Sequence, residues 1–266
     1  MNIRSRLARV VSSASILPSA SASPLGVAKR RLQRAGERSQ RRRVPVNEGY
    51  YGERKRLEET VKDLHTTPAG AVVTRNHYGS LVLNASRTLF IDVDAAPPSR
   101  ITLWTKRFRR REHASWLWML DDLRTVLASE ADEGFRVYRT AAGFRILATT
   151  NEHEPDSIQS KQLMDLVGAD PVFTDLCRLQ NNFRARLSPK PWRCGAQRPP
   201  NDFPRASAAE QQHFREWLAH YEYACRDRAT CEFLEHVGPP VVHERIRPIV
   251  ELHDCETKAF QQLPLA

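Results

Sequence analysis

An apolar run ends in two carboxylates one residue apart, Leu89-Phe-Ile-Asp-Val-Asp94, and Ala-Ala-Pro-Pro98 stops it. Alternate side chains of an extended strand share a face, so Asp92 and Asp94 project to the same side. Two carboxylates placed in this way either repel each other or hold a divalent cation between them. The hard cations Mg²⁺ and Mn²⁺ suit all-oxygen ligation, with water and triphosphate oxygens filling the remaining positions. Asp is depleted inside strands, so a pair at a strand end asks for a reason. The competing reading is a plain polar strand end before a Pro-rich turn.

A second stretch could bind anions. From Arg178 to Arg198 the bases are Arg178, Arg184, Arg186, Lys190, Arg193 and Arg198, with no acid and with Phe183 and Trp192 among them. Guanidinium groups interleaved with aromatic rings suit polyphosphate or single-stranded nucleic acid. The alternative is a helix end whose solvent face is basic. A similar patch, Arg100 to Arg111, holds Arg100, Lys106, Arg107, Arg109, Arg110 and Arg111 around Trp104 and Phe108. Cys225, Cys231, His236, His243, His253 and Cys255 crowd one region, but without the paired spacing of structural zinc sites. Buried thiols and surface histidines are the favoured reading there.

The elements that would position these residues follow from periodicity. A short charged helix is expected over Glu53–Leu64. Strands are expected at Ala71–Arg75, Ser80–Asn84 and Leu89–Asp94, the first two joined by a turn at Asn76–Gly79. Trp116, Leu117, Leu120, Leu123, Val126 and Leu127 recur at helical intervals, which predicts a helix from about His113 to Ser129. Gly134–Arg139 and Phe144–Thr149 read as a hairpin around Ala141-Ala-Gly143. Helices follow over Ser157–Val167, closed by Gly168, and from Asp170-Pro171 to about Gln180. Five prolines between residues 188 and 206 predict an irregular segment. Ser207-Ala-Ala-Glu210 matches a capping box opening a helix to about Arg226. The expected class is α+β, a mixed or antiparallel sheet covered by helices. Its core spans residues 46–195, with a mainly helical part at 196–266 packed on it.

The order FIDVD, helix, then strand–turn–strand in VYRTAAGFRIL resembles the archaeo-eukaryotic primase-polymerase superfamily, over roughly residues 70–195. The resemblance implies a primase-polymerase-like core in which Asp92 and Asp94 are catalytic metal ligands for Mg²⁺ or Mn²⁺. It implies that Thr140, Gly143, Phe144, Arg145 and Ile146 stand on the family's hairpin motif, Gly143 admitting a phosphate close to the backbone. The family's motif histidine is replaced by Arg145, which can clamp a triphosphate but cannot act as a neutral acid–base. Arg178, Asn182, Arg186 and Lys190 compare loosely with a later basic segment of the family, and Arg184 adds to the phosphate-binding set. A third carboxylate is implied on a later strand, Glu251 being assigned and Asp254 the other candidate. The function so implied is a primase-polymerase-like nucleotidyltransferase, or a divergent derivative binding a metal–nucleotide and nucleic acid. The alternative is a non-catalytic nucleic-acid- or nucleotide-binding protein.

Charge is distributed unevenly. Residues 1–45 hold eleven Lys/Arg and one acid, Glu37, leaving 30 of the 41 bases and 30 of the 31 acids in the balanced remainder. The pI near 9.7 therefore describes the amino-terminal segment. That segment reads as a disordered basic arm or a transit-like peptide. No apolar run has the length of a membrane span, so no membrane partner is expected. The odd count of five cysteines, without a secretory signal, suits reduced thiols and a cytoplasmic setting. Import into an organelle is the alternative if residues 1–45 are a transit peptide.

Overall fold

A computed structural model describes residues 23–42, 57–64, 70–95, 108–169 and 171–266. In chain order its first elements are α1 (Pro24–Arg42), β1 (Glu59–Leu64), β2 (Ala71–Arg75), β3 (Leu81–Ala85), β4 (Phe90–Asp94) and α2 (Phe108–Leu127). The hairpin β5 (Phe135–Thr140) and β6 (Gly143–Ala148) follows, then α3 (Ile158–Val167), α4 (Pro171–Gln180) and β7 (Phe183–Arg186). A 3-10 turn (Pro191–Arg193), α5 (Ala208–Ala224), β8 (Cys231–Val237) and α6 (Arg247–Thr257) complete the described chain. The class is α+β. Two antiparallel sheets have the strand orders β1-β2-β3-β7 and β4-β6-β5-β8.

The second sheet is covered on both faces. In β6, Phe144 and Ile146 alternate with Arg145 and Leu147, and all are buried. The Phe144 ring lies 6.4 Å from Trp116 of α2, whereas Arg145 meets His253 of α6. A strand buried on both sides reads as a continuous apolar run, and the one charge in it must be paired.

Several boundaries follow local chemistry. Ser157 caps α3 through the Ser160 N–H, and Gly168 closes it with φ +71°. A Cβ at Gly168 would stand 2.7 Å from the Leu32 carbonyl oxygen, so glycine also lets α1 approach. The capping box forms: Glu210 N–H donates to Ser207 Oγ at 3.1 Å, and Glu210 Oε2 accepts from the Ala206 N–H at 2.7 Å.

The structure corrects three expectations. Residues 24–42 of the basic arm are helical, because Ala28, Leu32 and Ala35 recur at helical spacing and are buried against the core. Burying a leucine such as Leu32 contributes roughly 1.5–3 kcal/mol, which basic composition conceals. Residues 59–64 are not helical: they add β1 to the edge of β2, with a register shift between Thr60 and Lys62. Beyond residue 195, expected to be a mainly helical part packed on the core, β8 stands between α5 and α6, pairs with β5 and completes the second sheet. Finally, the stretch around Glu251 is helix α6, whose buried residues Ile249, Val250, His253 and Thr257 follow the 3.6-residue period. Residues 1–22, the Asp170 cap and residues 100–107 of the Arg100–Arg111 patch lie outside the described residues. No described helix is long and apolar enough to cross a membrane.

Candidate nucleic-acid interface

Asp92 and Arg145 are directly opposite partners in β4 and β6, and Tyr138 of β5 is the next residue in the same row. The guanidinium engages the carboxylate twice, Nε to Oδ1 at 2.8 Å and Nη2 to Oδ2 at 3.1 Å. Its Nη1 donates to the Arg186 carbonyl oxygen of β7 at 2.8 Å, tying the two sheets together. Arg145 is 2% exposed, so the pair is what keeps this charge inside the protein.

The network continues away from Asp92. Arg145 Nη1 lies 3.4 Å from His253 Nε2, and His253 Nδ1 lies 3.2 Å from Asp254 Oδ1. Asp254 also accepts from the Tyr138 hydroxyl at 2.7 Å and from Arg136 Nη2 at 2.6 Å. Burial pushes the His253 imidazole down to about 4, against the raising influence of Asp254. A neutral ring donating from Nδ1 to Asp254 and accepting at Nε2 satisfies both neighbours. Burial alone would push the Asp92 carboxyl up; the charge and hydrogen bonds of Arg145 outweigh it and hold it below the ordinary range. Burial likewise lowers Arg186, with the Asp92 charge opposing.

Asp92, one of the two carboxylates singled out for a cation, is engaged by a cation of the chain itself. Both oxygens of Asp92 are engaged by a guanidinium that has no other carboxylate partner among the described residues. Glu251 is exposed on α6, whereas the buried face of that helix carries His253. The other candidate, Asp254, is taken by Arg136 and Tyr138. Among the described residues no group of three or more His, Cys, Asp or Glu converges to hold a metal. Gly143 is required by packing: a Cβ there would stand 2.1 Å from the Val93 carbonyl oxygen and 2.5 Å from the Ala95 nitrogen. The close approach that its lack of a side chain allows is to β4.

The basic segment divides. Arg178 is exposed near the end of α4. Arg184 is paired with Glu58 at 2.6 Å and bonded to Gln180 Oε1 at 2.8 Å. Lys190 and Arg198 instead join an aromatic cluster that the sequence did not assemble. Arg198 stands 5.3 Å from the Trp192 ring centre and 5.4 Å from that of Tyr78, and Lys190 Nζ is 5.6 Å from Trp192. Tyr78 and Trp192 meet edge to face at 5.0 Å, and His77 lies 3.7 Å from Tyr78. Trp192 is 47% exposed, unusual for so large an apolar ring.

Local structure sets this ridge in place. Asn76 Oδ1 accepts from the Tyr78 and Ser80 N–H groups, and Arg75 Nη1 reaches the Gly79 carbonyl at 2.7 Å, fixing the β2–β3 turn. Gly79 has φ +82° and lies under Trp217, where a Cβ would meet the ring at 2.0 Å. Ser80 Oγ and the Tyr221 hydroxyl both donate to the Pro189 carbonyl, drawing the proline-rich segment beside that turn. Trp217 Nε1 donates to the Gln197 carbonyl at 2.9 Å, which holds the chain just before Arg198. The signal in the sequence was Tyr78 in a turn; nothing local linked it to Trp192. No family model matches the chain, and neither does any curated protein or solved structure.

Proposed function

We propose that this protein binds single-stranded nucleic acid without catalysing a reaction on it, through the ridge formed by Tyr78, Lys190, Trp192 and Arg198. The observation that carries the reading is Trp192, exposed and flanked by two cations while the Pro189 and Gln197 anchors hold its loop in place. Bases of any identity can stack on such a ring, and the adjacent cations meet the phosphates. The nucleotidyltransferase reading, with Mg²⁺ or Mn²⁺ and a nucleoside triphosphate at Asp92 and Asp94, lacks a comparable observation because Asp92 is spent on Arg145.

Fluorescence anisotropy with labelled single-stranded DNA and RNA tests this. Affinity should fall with salt at a slope of about −0.7 per phosphate neutralised. Trp192→Ala should weaken binding by about 5- to 100-fold, the worth of one stacked base. Arg198→Ala should reduce the slope. Absence of binding by the full chain at low salt would overturn the proposal.

A further inference from the structure

Two thiols from distant parts of the chain meet where the ridge loop joins α5. Cys194 Sγ and Cys225 Sγ are 3.7 Å apart, in van der Waals contact, although 31 positions separate them in sequence. Cys194 follows Trp192 by two residues and closes the 3-10 turn, with its N–H on the Pro191 carbonyl at 3.1 Å. Cys225 closes α5, with its N–H on the Tyr221 carbonyl at 3.0 Å. Both are half-buried, whereas Cys177 and Cys231 are sealed in the core. Cys225 lines a cavity of about 160 Å³ with Ser188, Tyr221, Arg226 and Lys258, which leaves room for a small oxidant. Burial and the Cys194 sulfur raise the Cys225 thiol, and the Lys258 charge opposes them. Lys258 is held there by its own bond to the Cys225 carbonyl at 2.9 Å.

The position of the pair fixes what joining it would do. Tyr221 and Trp217 of α5 hold the ridge loop at two points, the Pro189 and Gln197 carbonyls. Cys194 lies between them, so a bond to Cys225 adds a covalent third anchor on the same helix. We propose that Cys194 and Cys225 are a redox pair, which hydrogen peroxide closes to a disulfide that locks the ridge loop on α5. The Cys194 thiolate attacks one peroxide oxygen, the O–O bond breaks, and hydroxide leaves. The Cys225 sulfur then attacks the resulting sulfenic sulfur, the S–O bond breaks, and the second hydroxide departs with the Cys225 proton as water. Two thiols are oxidised by two electrons and one peroxide becomes two waters. A dithiol reverses the change, as suits a disulfide formed transiently in a reducing compartment. The lock tightens strand binding, an effect that rests on the nucleic-acid reading above, because a fixed loop loses less freedom when a base stacks on Trp192.

The test titrates hydrogen peroxide into the reduced full chain, blocks remaining thiols by alkylation, and maps peptides by mass spectrometry without reduction. The expected product joins the Cys194 and Cys225 peptides, is lighter by two hydrogens, and is restored by dithiothreitol. The unfolding midpoint should rise by several degrees. Affinity for single strands should rise by about 2- to 10-fold, the ordering of one side chain. Neither change should occur in Cys225→Ser or Cys194→Ser. Sulfinic acid at Cys194 without the cross-link, or oxidation confined to the exposed Cys255, overturns the pair. A disulfide that forms without raising the midpoint, or without tightening a protein that binds strands, overturns the lock and leaves the ridge intact. A disulfide that raises the midpoint of a protein binding no strand in either redox state overturns the ridge and keeps the lock.

Discussion

Asp92 and Arg145 face each other across β4 and β6, and both carboxylate oxygens lie within hydrogen-bond reach of the guanidinium. One of the two carboxylates in the sequence pattern thereby has a cation from the chain itself beside it. The pair makes a distinctive prediction. Asp92→Asn leaves a buried guanidinium without a counter-charge and should cost about 3 kcal/mol of stability. In a two-carboxylate metal site the same change relieves repulsion in the metal-free protein and leaves stability equal or higher. Urea unfolding of metal-free Asp92→Asn therefore separates the two arrangements. The double variant Asp92→Leu with Arg145→Met should recover much of the loss, since it removes both charges together.

The His253 imidazole should make folding acid-sensitive. It is fully buried between Phe90, Tyr138, Arg145, Cys231 and Asp254 and titrates at about 4, against about 6.5 for an exposed histidine. Between these values the unfolded chain binds the proton and the folded one does not, so stability rises with pH across the window. Lowering the pH from 7 to 4 should remove on the order of 3 kcal/mol through this group. Unfolding midpoints of wild type should drop steadily over that range, and those of His253→Gln should be flatter. Identical pH profiles for the two proteins would show that another group sets the acid limit.

Gly143 tests the fate of the hairpin motif. Alanine there must displace the Val93 carbonyl or the Ala95 nitrogen, both of which belong to backbone. Overpacking of this kind costs about 1–3 kcal/mol. Gly143→Ala should lower the unfolding midpoint while the folded protein keeps wild-type affinity for single strands. A loss of affinity without loss of stability would return Gly143 to a ligand-binding role.

The strands, helices and caps were legible wherever the signal is local. Strands β2, β3 and β4 show in their apolar runs, Gly168 in its stop, and Ser207 with Glu210 in its box. Three features were not, each because a distant partner decides it. Strand β1 is mostly exposed and exists by pairing with the open edge of β2. Helix α1 is set by a few small apolar residues beneath a basic surface. Arg145 reads as a triphosphate clamp until Asp92 is placed opposite it. The interface was legible only in part. Lys190 and Trp192 stood out by composition, but Tyr78 reaches them through the Pro189 anchors, more than a hundred residues along the chain.

The division of the basic segment gives the last prediction. Arg184 and Trp192 lie in the same run of bases and aromatics, yet their surroundings differ. Arg184 spans from β7 to Glu58 and Gln180, and its side chain is 16% exposed. Its charge is matched, so its contribution is to hold the segment before β1 against the sheet. Arg184→Ala should reduce stability by about 1–2 kcal/mol and change strand affinity by less than about twofold. Trp192 lies outside the core and meets Tyr78 and its two cations in the ridge, so Trp192→Ala should cost about 1–2 kcal/mol of stability, as Arg184→Ala does, but should carry the affinity loss as well. Measuring unfolding midpoints and anisotropy on both variants under one salt condition gives four numbers. If Arg184→Ala weakens binding as much as Trp192→Ala does, phosphate contacts extend across β7 and the ridge is only one edge of a wider surface.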